Sequence, residues 1–143
     1  MSSMTDTKTP SQATNNEAEL RELIARWAKA VRDEDLPGIR ADHDEQVLMF
    51  DVPPPFLSRG IDAYMETWRT FFASSAKPVA FDFEDVDVTA GDEVAFATAI
   101  GHCINIERNG EKTNLKFRLT MAFRKKGERW LIVHEHHSLP ATD

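Results

Sequence analysis

From residue 79 to the end of the chain, four stretches alternate apolar and polar side chains, at 79–88, 93–107, 113–125 and 129–138. Turn residues separate them: Ala90-Gly91-Asp92, Asn109-Gly110 and Lys126-Gly127. Alternation of period two sends successive side chains to opposite faces, so each stretch reads as a strand with one covered and one wetter face. Tight turns between consecutive strands make neighbours antiparallel. A sheet with an apolar face needs a cover, and only the residues before 79 can supply it.

Those residues carry helical spacing. Leu20, Leu23, Ile24, Trp27, Ala28 and Val31 form one apolar stripe, the pattern of a helix lying on something flat. Asn16, with Glu19 three positions on, is placed to cap that helix. The polar residues 1–16 read as a disordered tail ahead of a single domain over 17–143. Asp33-Glu34-Asp35 interrupts the helix, and Asp35 before Leu36-Pro37 reads as the cap and first turn of a short second helix ending near His43. Val47 to Val52 suits a strand with Asp51 at its end, stopped by Pro53-Pro54-Pro55, none of which can donate to a ladder. After Gly60, Asp62 is a cap for a third helix carrying Ile61, Met65, Trp68, Phe71 and Phe72 and stopping near Ser74-Ser75. The order is ααβαββββ, an α+β fold in which a curved antiparallel sheet wraps around three N-terminal helices.

Composition excludes several functions. The 143 residues are 41% hydrophobic and 29% charged, which describes one ordinary domain with room for a core. A net charge of −7 opposes binding to nucleic acid or an anionic membrane, since both need clustered Lys and Arg. No apolar run approaches the roughly 20 residues of a membrane span, and the N-terminus lacks the order of a signal peptide, so the expectation is a cytoplasmic protein. The single cysteine, Cys103, has no disulfide or zinc-cluster partner and reads as a buried structural thiol.

The last strand, Trp130-Leu131-Ile132-Val133-His134-Glu135-His136-His137-Ser138, holds three of the five histidines. Alternation puts His134, His136 and Ser138 on one face with Trp130 and Ile132, and Leu131, Val133, Glu135 and His137 on the other. Which face meets the interior depends on the preceding hairpin. A three-residue loop Lys125-Lys126-Gly127 pairs Arg124 with Glu128, so that Arg118 faces His134 and Thr120 faces Ile132. Arg118, Thr120, His134 and His136 then form one polar cluster suited to an anionic or carbonyl ligand. A loop one residue shorter or longer pairs Arg118 with Glu135 and moves His134 and His136 to the opposite face. Two imidazoles on one strand face fall short of a metal site, which needs a third ligand and usually a fourth. The bland reading of the histidines is packing at a dimer sheet, that of Arg118 a pairing with an acid, and that of Asp51 acceptance of backbone N–H bonds from the Ser58-Arg59-Gly60 loop.

These features together resemble the nuclear transport factor 2-like superfamily, within it the SnoaL-like and ketosteroid isomerase-like proteins. The carriers are the element order, Asp51 followed by Ser58-Arg59-Gly60-Ile61-Asp62, the Arg118-Leu119-Thr120 strand, and Trp130 through Pro140; the resemblance covers residues 17 to 140. The C-terminal stretch is also similar to the association domain of calcium/calmodulin-dependent protein kinases. The resemblance implies a cone with a cavity open at one end and a homodimer formed through the sheet face. Asp51 falls where ketosteroid isomerases hold their general base. Their oxyanion donors are not matched, because Trp27 and Leu119-Thr120 stand at the corresponding positions. The expectation is a cofactor-independent, metal-free cavity that binds a small apolar or cyclic molecule and isomerises, dehydrates or hydrolyses it. Asp51 is the candidate base, and Trp27, Trp68, Arg118, Thr120, His134 and His136 are the candidate ligand contacts. The alternative is a non-catalytic homo-oligomeric association domain.

Overall fold

The computed structural model describes residues 10–74 and 77–142. Three helices, α1 (Pro10–Arg32), α2 (Leu36–Ala41) and α3 (Ile61–Ser74), accompany six strands. The strands are β1 (His43–Phe50), β2 (Ser58–Arg59), β3 (Lys77–Ala90), β4 (Val94–Ile106), β5 (Lys112–Lys126) and β6 (Arg129–Ser138). They form one sheet in the order β2-β1-β6-β5-β4-β3. Every pairing is antiparallel except β1 with β6, which run parallel. That pairing places the start of β1 beside the middle of the last strand, a consequence the turn residues alone do not announce.

The apolar stripe of α1 is wholly buried, from Leu20 through Val31. Trp27 sits at its centre, stacked on Phe83 at 5.5 Å and edge-on to Phe81 at 5.8 Å and Trp68 at 6.4 Å. Aromatic rings bring large apolar areas out of water, so this cluster ties α1, α3 and β3 into one core. Asp35 caps α2 as expected, its side chain accepting from the Gly38 N–H at 3.0 Å.

The helix start needs correction. α1 begins at Pro10, a residue suited to a first helical turn, and Asn16 lies inside the helix rather than capping it. Asn16 is 2% exposed because its Nδ2 donates to the Gly91 carbonyl at 3.0 Å, fastening the helix to the β3–β4 turn. Of the expected disordered tail, residues 1–9 lie outside the described residues. The third helix also opens differently: Asp62 falls within its first turn, and the Gly60 carbonyl accepts from the Tyr64 N–H.

Of the irregularities in the strand ladders, two bear on the shape of the inner face. In β3 the ladder slips between Glu84 and Asp87, with Asp85 at φ 53°, a left-handed conformation that Asp tolerates better than most residues. In β6 one residue, Val133, bulges out of the β5 ladder, because Phe123 pairs with Ile132 while Ala122 pairs with His134. A bulge adds twist and re-aims the side chains beyond it.

Candidate functional site

The bulge decides which side chains of β6 see the interior. Before it, Trp130 and Ile132 are buried; after it, Glu135 and His137 are buried. The hairpin itself turns through two residues, Gly127-Glu128, with Lys126 opposite Arg129 and Gly127 at φ 65°. A two-residue hairpin favours a residue that accepts positive φ, and glycine meets that need. Arg118 therefore pairs with Ser138 and Thr120 with His136, four residues away from the three-residue-loop register.

The correction removes four expected ligand contacts. Arg118 is exposed on the outer face, its Nε donating to Ser138 Oγ at 3.0 Å. Thr120 and His136 are exposed on that same face. His134 bonds through Nδ1 to the Leu48 carbonyl at 2.6 Å and meets the Phe50 ring edge-on at 4.8 Å. None of the four lines the cavity. Trp27, a fifth expected contact, is buried beside the site, 6.4 Å from the His137 ring and 6.1 Å from His43, but does not line the cavity either.

The cavity occupies about 570 Å³ between α3, the inner face of β3 to β6 and the proline loop after β1. Trp68 and Phe71 of α3, Phe81 of β3, Leu115 and Phe117 of β5, and Pro53, Pro54 and Pro55 make its walls apolar. Phe117 reaches its place because β4 carries Gly101 opposite it: a Cβ there would stand 2.3 Å from Phe117 Cζ. Asp51, Glu66 and His137 supply the titratable oxygens and nitrogens of the lining besides the Cys103 thiol; among the described residues no lysine or arginine lines it. Burial pushes the Cys103 thiol upward, so it is protonated.

Asp51 and His137 are joined. Asp51 Oδ1 accepts from the Val52 N–H at 2.8 Å and meets His137 Nδ1 at 3.2 Å. On its other side His137 Nε2 meets Glu135 Oε1 at 3.0 Å. Glu135 is fully buried and its Oε2 also accepts from the Tyr64 hydroxyl at 2.8 Å and contacts His43 Nε2. His43 Nδ1 lies 2.7 Å from the Ile39 carbonyl, which can only accept, so that nitrogen carries a proton. A line of hydrogen-bonded groups thus runs from the cavity wall, Asp51–His137–Glu135, to His43 and Tyr64 in the core.

The electrostatics follow from that line. Burial disfavours a charged Glu135, but the nearby His43 and the hydrogen bonds from His137 and His43 outweigh it and hold the carboxyl down at about 2. Burial likewise opposes a charge on His137, and the hydrogen bonds to Asp51 and Glu135 overcome it, raising the imidazole to about 9. Burial and the Glu135 charge push the Tyr64 hydroxyl well above its ordinary value, so it remains a donor. Among the described residues no group of three or more His, Cys, Asp or Glu side chains is arranged to hold a metal ion.

His43 and Tyr64 were not among the candidate residues, the first standing in the sequence only as the end of the second helix, and Glu135 and His137 were placed on the strand face opposite His134 and His136. The signal available was Gly127-Glu128, a dipeptide suited to a two-residue hairpin turn.

A cone of bent sheet closed by three helices, with a polar group at the base of an apolar hollow, defines a nuclear transport factor 2-like protein. The chain belongs to the SnoaL-like domain family, whose model matches residues 20–142. It is similar to a nuclear transport factor 2-like protein of unknown function from Pseudomonas putida KT2440, with 32% identity, TM-score 0.80, and coverage of 89% of this chain and 88% of that one. A structure from Streptomyces avermitilis described as a putative dehydratase of the nuclear transport factor 2-like family is 12% identical, with TM-score 0.76 and coverage of 89% and 99%. A structure from Xanthomonas campestris described as a putative calcium/calmodulin-dependent protein kinase II association domain is 15% identical, with TM-score 0.76 and coverage of 100% and 95%. The last two share the fold alone. No curated protein matches the chain.

Proposed function

We propose that this protein binds a small uncharged cyclic molecule in its cavity and moves a proton on it, with Asp51 as the base and without a cofactor. One observation supports the reading above the others: Asp51 stands at an apolar wall with its Oδ1 held by the Val52 N–H and His137, and these bonds leave its Oδ2 unengaged. A carboxylate fixed in this way can take a proton from carbon or oxygen and return it to a neighbouring atom. Isomerisation, dehydration and hydrolysis all lie within its reach. An anionic substrate is disfavoured, because the lining carries Asp51 and Glu66 and no lysine or arginine among the described residues, and both ring nitrogens of His137 already face carboxylates.

The test is a thermal-shift screen pairing phenols and cyclic ketones with carboxylates built on the same rings, run on the parent chain, Asp51→Asn and Phe71→Ala. Uncharged members should raise the melting temperature of the parent and lose that effect in Phe71→Ala, and turnover of any hit should vanish in Asp51→Asn. Selective binding of the carboxylates, or equal shifts in all three proteins, would remove the cavity from the account.

A second reading, compatible with the first, concerns assembly. On the outer face of β4, Val94 is 58% exposed, Phe96 50% and Ile106 40%, an apolar row on a strand separated from β6 by β5. Apolar patches of this kind mark contact surfaces, and a second copy of the chain is the proposed cover. Light scattering should show a dimer that Phe96→Glu dissociates; a monomeric parent protein would end the idea.

A further inference from the structure

Hydrogen bonding at His137 continues inward beyond any atom that a cavity ligand touches. Glu135 is fully buried, and its two oxygens receive side chains from three elements: His137 of β6, His43 of β1 and Tyr64 of α3. Proton transfer by Asp51 uses neither His43 nor Tyr64. Burying polar and ionised groups costs stability unless each is satisfied, so a cluster this deep asks for a role.

We propose that His43 and Tyr64, acting through Glu135, are positioning residues that hold His137 as an imidazolium donating from both nitrogens, and so reserve proton transfer in the cavity for Asp51. The inference rests on the reading of Asp51 as base. Carboxylate oxygens that are ionised only accept. With Asp51 alone, a neutral imidazole donating from Nδ1 would suffice, and its bare Nε2 would be a competing base. Glu135 at 3.0 Å from Nε2 demands a second proton on the ring. Glu135 can demand it only while it stays anionic in a dry site, and the Tyr64 hydroxyl and His43 ring, both on Oε2, stabilise that anion.

The groups around His137 are accounted for element by element. Asp51 follows β1, Glu135 shares β6, and His43 and Tyr64 act at one remove through Glu135. The Trp27 ring of α1 at 6.4 Å and the Phe117 ring of β5 at 5.5 Å carry no titrating proton in this range. The elevation of His137 to about 9 agrees with two carboxylates facing it.

The experiment is a side-chain nitrogen NMR titration of the intact, unliganded protein, in the parent and in Glu135→Gln and Tyr64→Phe. The parent should show two protonated nitrogens on His137 up to about pH 9. Glu135→Gln should lower its midpoint by at least about one unit, a tenfold loss of proton affinity. Tyr64→Phe, which disturbs packing least, takes one donor from Glu135 and should raise the midpoint of the Glu135 carboxyl itself, followed by side-chain carbon NMR in the same samples. A neutral His137 at about pH 7 in the parent, an unchanged His137 midpoint in Glu135→Gln, or a Glu135 midpoint that stays in place in Tyr64→Phe would overturn the proposal. A purely structural role would alter the melting temperature and leave the midpoints in place. Because no substrate is present, the titration is independent of whether Asp51→Asn loses turnover, and the two ideas fail separately.

Discussion

His137 should make folding stability fall as the solution turns mildly alkaline. Its proton affinity rises from the ordinary 6.5 to about 9 in the folded chain, a difference of about 2.5 units. At about 1.4 kcal/mol per unit this is about 3 kcal/mol of stability. A group raised in the folded state contributes fully below its unfolded value and loses its contribution as pH climbs through the folded one, so the window lies between 6.5 and about 9. From about pH 6 to about pH 8.5 the loss works out at about 2 kcal/mol. With an unfolding entropy of roughly 2 cal/mol/K per residue over the 143 residues, the melting temperature should drop by about 7 °C. The range stops short of 9.0, the ordinary thiol value, above which Cys103 would add its own dependence. Urea unfolding at the two pH values, on the parent and on His137→Asn, isolates the imidazole. The variant should be less stable near pH 6 and nearly flat across the interval. A flat parent, or an equal slope in both proteins, would refute the reasoning.

On the acid side, Glu135 is depressed to about 2 from 4.5, so its contribution is complete above 4.5 and disappears as pH falls toward 2; Glu135→Gln should blunt the acid-unfolding limb seen by circular dichroism. Gly101→Ala would put a Cβ 2.3 Å from Phe117 Cζ, and overpacking of that kind costs about 1–3 kcal/mol; denaturant unfolding should show the loss, and any cavity ligand should bind more weakly as the Phe117 ring is displaced. Arg118→Ala and His136→Ala change only the outer face, so calorimetric titration of a cavity ligand should give the parent affinity within about twofold, the size expected of surface changes away from a site.

The fold was legible because its signals are local. The alternation over 79–138 and the α1 stripe each follow from one face being covered, and the four strands in that stretch lie within two residues of their observed ends, β3 at Lys77–Ala90 and β6 at Arg129–Ser138, whereas β1 starts at His43, four residues before the expected Val47, and β2 was not anticipated. The site was legible only in part. Asp51 and Trp68 could be placed because the strand end and the helix that carry them are visible in the pattern. The polar face of β6 could not, because one bulged residue, Val133, and a turn of two residues instead of three exchange the histidines that point inward. His43 and Tyr64 were hidden for a different reason. Their shared partner Glu135 lies 92 and 71 residues away in the chain, and the first contact depends on the parallel β1–β6 pairing. Non-local pairing of that kind leaves no mark in the spacing of nearby residues.

A crystal structure with an uncharged phenol or cyclic ketone bound tests the central claim most directly. The account predicts the ring between Trp68 and Phe117 and its oxygen within hydrogen-bond reach, about 2.6–3.2 Å, of Asp51 Oδ2, with His137 still bridging Asp51 and Glu135. A ligand seated on the outer face beside Arg118 and His136, or in the cavity with its oxygen turned away from Asp51, would contradict it.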